Sequence, residues 1–141
     1  MTTVSAVIPH RSRSRHLKLC VESLLRSAEA CGTELEIIVV DDGLGPIHHL
    51  PLGDNIKLLF DTARPPVELQ PGEPPPFWKG KLLNTGIRAA TGDIVVLLDA
   101  DAIVSLTFFV ALKALDDPAV NRVAYFVRYL GDEFLGILES G

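Results

Sequence analysis

The stretch Asp93-Ile-Val-Val-Leu-Leu-Asp99-Ala-Asp101-Ala-Ile-Val104 sets the fold. Its run of branched apolar residues, Ile94 to Leu98, has the composition of a strand buried on both faces. The run delivers two carboxylates, Asp99 and Asp101, separated by one small residue. In extended backbone, positions i and i+2 project to the same side, so both acids reach one point. Two anions held so close repel unless a cation sits between them, and a hard divalent ion with oxygen ligands is the usual one. The expectation is a metal site at the end of a buried parallel strand. Taken alone, Asp-x-Asp is equally a pair of solvated acids in a loop, so the surroundings have to decide.

Those surroundings are read as a single domain, 1–141, with an apolar fraction of 48% that suffices for a real core. A formal charge of −5 argues against a general nucleic-acid binder. No secretory signal is expected, because the first apolar run, Val4 to Ile8, is short and precedes the basic residues. Residues 94–115 are apolar enough to suggest a membrane span, but Asp99 and Asp101 lie inside it. Each would cost about 2.5–3.5 kcal/mol near the middle of a spanning helix, so no transmembrane segment is expected. Cys20 and Cys31, eleven residues apart in one helix, stand about 16 Å apart along its axis, too far to bridge. A reducing, cytoplasmic setting is expected.

Working outward, Val4 to Pro9 reads as a first strand, and His10 to Arg15 as a polar loop in which Ser12 or Ser14 caps the next helix. Leu17, Val21, Leu24, Leu25 and Ala28 recur at helical spacing, with Gly32 where a C-terminal cap belongs. Leu35 to Val40 is a second buried strand, running into Asp41-Asp42-Gly43, and Ile56 to Phe60 a short third. Residues 62–78 form a proline- and glycine-rich loop of a length that is more often functional than decorative. A helix from Lys81 to Ala90 carries Leu82, Leu83, Ile87 and Ala90 on one side. Beyond the opening strand, Ser105 is expected to cap a helix through Leu115, and Val123 to Val127 to form another strand. This alternation predicts an α/β fold: a mainly parallel sheet flanked by helices, with its ligand crevice beyond the carboxyl ends of the strands.

Three polar clusters fall at those ends. The first, Arg11, Arg13, Arg15, His16 and Lys18, places positive charge at a helix N-terminus, where the macrodipole prefers anions. A phosphate-bearing ligand resolves the conflict, since helix amides and arginines both favour it, while a plain solvated basic turn costs only tenths of a kcal/mol per charge. The second is Asp41-Asp42, a position from which a carboxylate commonly meets a ribose, or which merely shapes a turn with Gly43. The third is the opening pair. Trp78-Lys79-Gly80-Lys81 closes the proline-rich loop, with Lys79 or Lys81 in reach of a diphosphate and Asn84 about a turn further on. His48 and His49 lack a ligand spacing and read as loop surface.

In this order the clusters resemble the nucleotide-binding half of a family 2 glycosyltransferase of the GT-A fold, which is Rossmann-like. The residues carrying the resemblance are Val4 to Pro9 with Arg13, Glu36 to Gly43, and Trp78-Lys79-Gly80-Lys81. It continues through Asn84-Thr-Gly86 to Gly92 and ends on Leu98-Asp99-Ala-Asp101. The resemblance implies an inverting transferase that moves a sugar from a nucleoside-diphosphate sugar, a UDP-sugar first of all, to an unknown acceptor. By it, Pro9, Arg11, Arg13, Asp41, Asp42, Lys79, Lys81, Asn84 and Asp99 bind the nucleotide-sugar, and Asp99 and Asp101 hold Mg²⁺ or Mn²⁺ against the diphosphate. A divalent ion there stabilises the charge of the leaving group.

The sequence departs from the family at His10, Ser12 and Leu44, where Thr, Asn and Ser are usual. The family also continues well past its metal motif, into a half that supplies the catalytic base. The domain is therefore expected to be incomplete at its C-terminus, with Asp132 and Glu133 the late acids besides Glu139 and the candidates for that base. A homo-oligomer covering the apolar surface left by a missing half is a further expectation. Two other readings stay open: a truncated, non-catalytic nucleotide-binding module, and a sugar nucleotidyltransferase. The latter resembles this chain less, since its first loop is glycine-rich and residues 10–15 contain no glycine.

Overall fold

The computed structural model describes residues 2–47, 50 and 53–115. The described elements are β1 (Thr3–His10), α1 (Ser14–Cys31), β2 (Glu34–Asp41), β3 (Ile56–Phe60), α2 (Lys79–Ala89), β4 (Ile94–Leu97) and α3 (Phe108–Ala114). The four strands form one sheet in the order β3-β2-β1-β4, and each neighbouring pair is parallel. The expected strand at Val123 to Val127, the His48-His49 pair, Asp132 and Glu133 lie outside the described residues.

Alternation along the strands sorts the core into two layers, because successive side chains point to opposite faces. Val4, Ala6 and Ile8 of β1 join Leu35, Ile37 and Val39 of β2 on the side of α1 and α3. There they meet Leu17, Cys20, Val21, Leu24 and Ala28 of α1, and Phe108, Phe109 and Leu112 of α3. On the opposite face Val7, Ile38 and Val40 pack against Leu82 of α2. The sheet is thus sandwiched between helices, and β1 and β2, the inner strands, are apolar on both faces as their sequences require.

The strand expected to be buried on both faces is not. In β4, Val96 is buried, but Val95 and Leu97 are 41% and 49% exposed. The reason is position: β4 pairs only with β1 among the described residues, and α2 lies over β1 and β2. A continuous apolar run does not by itself tell an inner strand from an edge one. The apolar segment 94–115 is divided between β4 and the seven-residue α3, and no described helix is long and apolar enough to cross a membrane.

Caps differ from the sequence reading too. The N-cap of α1 is Arg13, and no side-chain oxygen caps that end; Ser12 sits at φ 50° and the Ser14 hydroxyl donates to the Pro46 carbonyl (2.9 Å). The N-cap of α3 is Thr107, and Ser105 contributes through its carbonyl, which accepts from Phe108 N–H (3.1 Å). At its far end α1 closes as predicted: Gly32 is left-handed (φ 59°), and Thr33 N–H reaches the Ala28 carbonyl at 2.9 Å. Cys20 and Cys31 are both free thiols.

Helix α2 starts two residues earlier than predicted, and its inner face is Leu82 and Gly86, whereas Ile87 is exposed. A Cβ added at Gly86 would stand 2.2 Å from Val7 Cγ1 and 3.1 Å from Val40 Cγ2, so a bare backbone lets α2 touch the sheet. Gly86→Ala should therefore lower stability by about 1–3 kcal/mol through overpacking, although alanine is the better helix former. Gly80→Ala, whose added methyl meets nothing within 4 Å, should be neutral or slightly stabilising. Urea titration of both variants checks the contrast, and equal midpoints would refute the close-approach account.

Candidate functional site

The carboxyl ends of β1, β2 and β3 lie level, since His10 is in register with Asp41 and Asp41 with Phe60. The chain leaves the sheet there, so backbone groups lose their ladder partners and side chains must replace them. His10 does this from a fully buried position. Its Nδ1 lies 2.7 Å from Asp41 Oδ1, and its Nε2 accepts the Arg13 backbone N–H at 3.0 Å. An Nε2 that accepts assigns the proton to Nδ1, which donates to the carboxylate. Asp41 Oδ2 accepts Gly43 N–H (2.8 Å), so both of its oxygens are engaged inside the protein. Asp42, 2% exposed, accepts from Leu44 N–H at 3.2 Å and from Arg11 Nε.

Arg11 extends that stitching to the proline-rich loop. Its Nη1 donates to the Pro75 carbonyl at 2.6 Å and its Nη2 to Pro76 at 3.2 Å. The guanidinium also lies over the Phe77 ring, 5.4 Å from the centroid. Arg64 adds a second tie, from Nη2 to the Asp42 carbonyl at 2.7 Å. Just past β3, Asp61 receives Lys81 Nζ at 3.0 Å together with the Thr85 hydroxyl and Ala63 N–H. The Thr85 and Lys81 bonds hold the Asp61 carboxyl down at about 2. Lys81 is therefore drawn to Asp61, and the residue that shares this acid with it is Thr85; Asn84 is exposed.

These ties leave a cleft of about 370 Å³ lined by Pro9, Arg11, Arg13, Phe77, Lys79, Asp99, Ala100 and Asp101. Asp99 and Asp101 share it, though not by strand alternation. β4 ends at Leu97, and the acids sit on a turn in which Ala102 N–H donates to the Asp99 carbonyl at 3.0 Å. Each acid faces a cation across the cleft: Lys79 Nζ donates to Asp99 Oδ1, and Arg13 Nη1 stands 3.6 Å from Asp101 Oδ2. The negative charge wanted by the basic start of α1 is thus supplied by Asp101. Behind the acids, Cys20 is buried with its Sγ 3.7 Å from the Asp99 carbonyl; burial, then the charges of Asp101 and Asp99, push its thiol up to about 12. It is a core group and not a nucleophile.

Among the described residues no group of three or more His, Cys, Asp or Glu side chains is placed to hold a metal ion. Two carboxylates in one open cleft nevertheless suit Mg²⁺ or Mn²⁺, which take oxygen ligands and usually complete their shell with water and substrate phosphate. Of the predicted site residues, Pro9, Arg11, Arg13, Lys79, Asp99 and Asp101 are brought together; Asp41, Asp42, Lys81 and Asn84 do not line the cleft. Phe77, Asp61 and Thr85 were not among the residues expected from the sequence. The available signal was Asp61, an acid following a strand, as Asp41 does.

A parallel α/β sheet flanked by helices, with a charged cleft at its carboxyl edge, is the arrangement of the GT-A fold, and comparison with known proteins agrees on the fold. Residues 74–135 match the family described as Glycosyl transferase family 2. An uncharacterised glycosyltransferase from Nostoc sp. (strain PCC 7120) is 28% identical over 98 residues, covering 70% of this chain but 28% of its own length. Among solved structures, the mannosyltransferase PcManGT of Pyrobaculum calidifontis, in complex with GDP-Man and Mn²⁺, superposes with a TM-score of 0.61. It is 23% identical, over 84% of this chain and 34% of that one. S. aureus TarS 1–349 in complex with UDP-GlcNAc gives 0.52 at 19% identity, over 79% and 30%. The chain is thus similar to glycosyltransferases, over residues 74–135 in the family match, and it spans about a third of the length of these relatives.

The depressed Asp61 carboxyl carries a pH signature. Its folded value, about 2, lies below the ordinary 3.8, so the stabilisation it brings is full above pH 4 and lost as pH falls toward 2. Asp61→Asn should lower stability by about 1 kcal/mol at neutral pH, a figure reduced for partial solvent screening, with wild type and variant converging below pH 3. Urea unfolding across pH 2–7 measures it; a pH-independent gap would remove the ion pair from the explanation.

Proposed function

We propose that this chain is the donor-binding part of an inverting, metal-assisted glycosyltransferase that takes its sugar from a nucleoside-diphosphate sugar, a UDP-sugar first of all. The observation that carries this reading is the cleft in which Asp99 and Asp101 face Lys79 and Arg13 beyond the strand ends. Neighbours of the same fold hold GDP-Man with Mn²⁺ and UDP-GlcNAc, which supports a nucleotide-sugar as the ligand class.

Charge balance gives the reading its mechanism. Arg13 and Lys79 pair with Asp101 and Asp99, and Arg11, the third cation of the lining, with Asp42, so a bare diphosphate entering the cleft meets little net attraction. A divalent ion held by Asp99 and Asp101 would supply positive charge that steadies the diphosphate as it leaves the sugar. Lys79 and Arg13, relieved of the carboxylates, would then face the phosphate oxygens, with Arg13 presenting its planar fork. Arg11, already bonded to Asp42 and the loop, serves by holding the wall in place. The acceptor and the base that deprotonates it belong to chemistry outside the described residues, where Asp132 and Glu133 lie. Two free cysteines accord with a cytoplasmic setting, and the exposed Val95 and Leu97 with an oligomer or further chain over β4.

Titration calorimetry with UDP-GlcNAc and GDP-Man, with and without Mn²⁺, tests the proposal. Binding to the wild-type chain should strengthen at least tenfold with Mn²⁺. Asp101→Asn should abolish that gain and leave the unfolding midpoint within about 0.5 kcal/mol of the parent, because a half-exposed turn carboxylate adds little to the fold. Undiminished metal-dependent binding by the variant would refute the assignment. Metal-dependent binding without sugar transfer or donor hydrolysis would instead mark a nucleotide-binding module.

A further inference from the structure

The cleft is lined by apolar as well as charged residues, and its one aromatic lining residue has no role so far. Phe77 lines the cavity with Pro9 and Ala100, while Arg11, Arg13, Lys79, Asp99 and Asp101 supply its charges. Phe77 belongs to a segment outside any regular element, and its ring remains 40% exposed. An exposed aromatic on a loop would ordinarily be a poor binding surface, since ordering it costs rotamer entropy. Here that cost is met in advance. Three consecutive prolines, Pro74 to Pro76, restrict the backbone leading to it, and Arg11 bonds the carbonyls of Pro75 and Pro76. The same guanidinium lies over the Phe77 ring and is itself bonded to Asp42 at the end of β2. Arg11 therefore fastens the loop to the sheet and backs the ring.

We propose that Phe77, held by Arg11, is the stacking platform for the planar base of the nucleotide, and Arg11 its positioning residue. This rests on the donor-site reading above and adds to it the group that reads the heterocycle. An apolar planar ring and paired charges lining the same cleft match a ligand with a flat base and a diphosphate. Asp41, the acid that sequence reasoning set against the nucleotide, is fully buried and bonded to His10 and Gly43, so recognition of the base falls to surfaces that line the cleft. Stacking on an aromatic face is tolerant of base identity, which makes Phe77 a source of affinity more than of discrimination.

The test separates base from diphosphate. UDP, GDP and inorganic pyrophosphate, each with Mn²⁺, are titrated into the wild-type chain, Phe77→Ala, Phe77→Trp and Arg11→Lys. Phe77→Ala should weaken UDP and GDP about tenfold or more and leave pyrophosphate within twofold, while Phe77→Trp retains nucleotide binding. Arg11→Lys keeps the charge but loses the fork, so it should weaken the nucleotides more than pyrophosphate. Equal nucleotide affinity in wild type and Phe77→Ala overturns the platform while leaving the donor site standing. A parallel loss of pyrophosphate in Phe77→Ala overturns it too, since the ring would then be shaping the cleft as a whole. Failure of the wild-type chain to bind any of the three overturns the donor-site reading itself. Circular dichroism and thermal melts confirm that each variant is folded, as substitution at a half-exposed loop ring permits.

Discussion

The cleft depends on how the protein satisfies the polar groups where β1 and β2 leave the sheet. A parallel pair that ends level abandons backbone donors and acceptors at the same place, in a region already closed to water. His10 and Asp41 meet this need with a fully buried bond and extend it to Arg13 N–H and Gly43 N–H. The pair thereby sets two loops at once: the one that starts α1 and the one that follows β2. Removing either partner would strand the other as a buried polar group, a larger penalty than the bond's own net contribution. Asp42 repeats the arrangement one residue later with Arg11, and through Arg11 the order passes to Pro75, Pro76 and Phe77.

Much of this was legible in the sequence. Strands β1, β2 and β3, the C-terminal cap of α1 and the gathering of charged residues at strand ends follow from apolar runs, Gly32 and the logic of parallel sheets. What was not legible has physical causes. The run Ile94 to Leu98 looks like an inner strand because composition reports hydrophobicity and not neighbours, and β4 turned out to carry exposed Val95 and Leu97. Ser12, Ser14 and Ser105 are good capping types, but tertiary partners took their places: the amide of Arg13, the α1 N-cap, is met by His10, and Ser14 turns to Pro46. Ile87 fits a helical stripe, yet α2 approaches the sheet through Gly86, a choice only the local distance explains.

The site shows the same division. Asp99 and Asp101 were read as sharing a point because strand positions two apart share a side; they share the cleft instead through a turn. The two acids come together in either geometry because both lie just beyond the same strand. Asp41 and Lys81 fared differently. Their type and position suit a ligand, but each has an internal partner, His10 in one case and Asp61 in the other. Partners that are distant in sequence, 31 and 20 residues away, leave no periodic trace. A charged residue at a strand end is thus ambiguous until the pairing is known.

That ambiguity bears on how the cleft works. Had every basic residue of the first loop faced the cavity, it would have been an electropositive anion trap with no need of a metal. Instead Arg11 is committed to Asp42 and the loop, and the two cations that remain, Arg13 and Lys79, are matched by Asp101 and Asp99. A neutral cleft discriminates against free phosphate, since desolvating that anion finds no compensating charge. On the proposed reading, a diphosphate would enter with a cation of its own, which would free Arg13 and Lys79 from the carboxylates. Pairing the acids with protein cations also keeps Asp99 and Asp101 from repelling one another before that ion arrives. The metal dependence proposed above would then follow from charge matching across the cleft and not from the Asp-x-Asp pair alone.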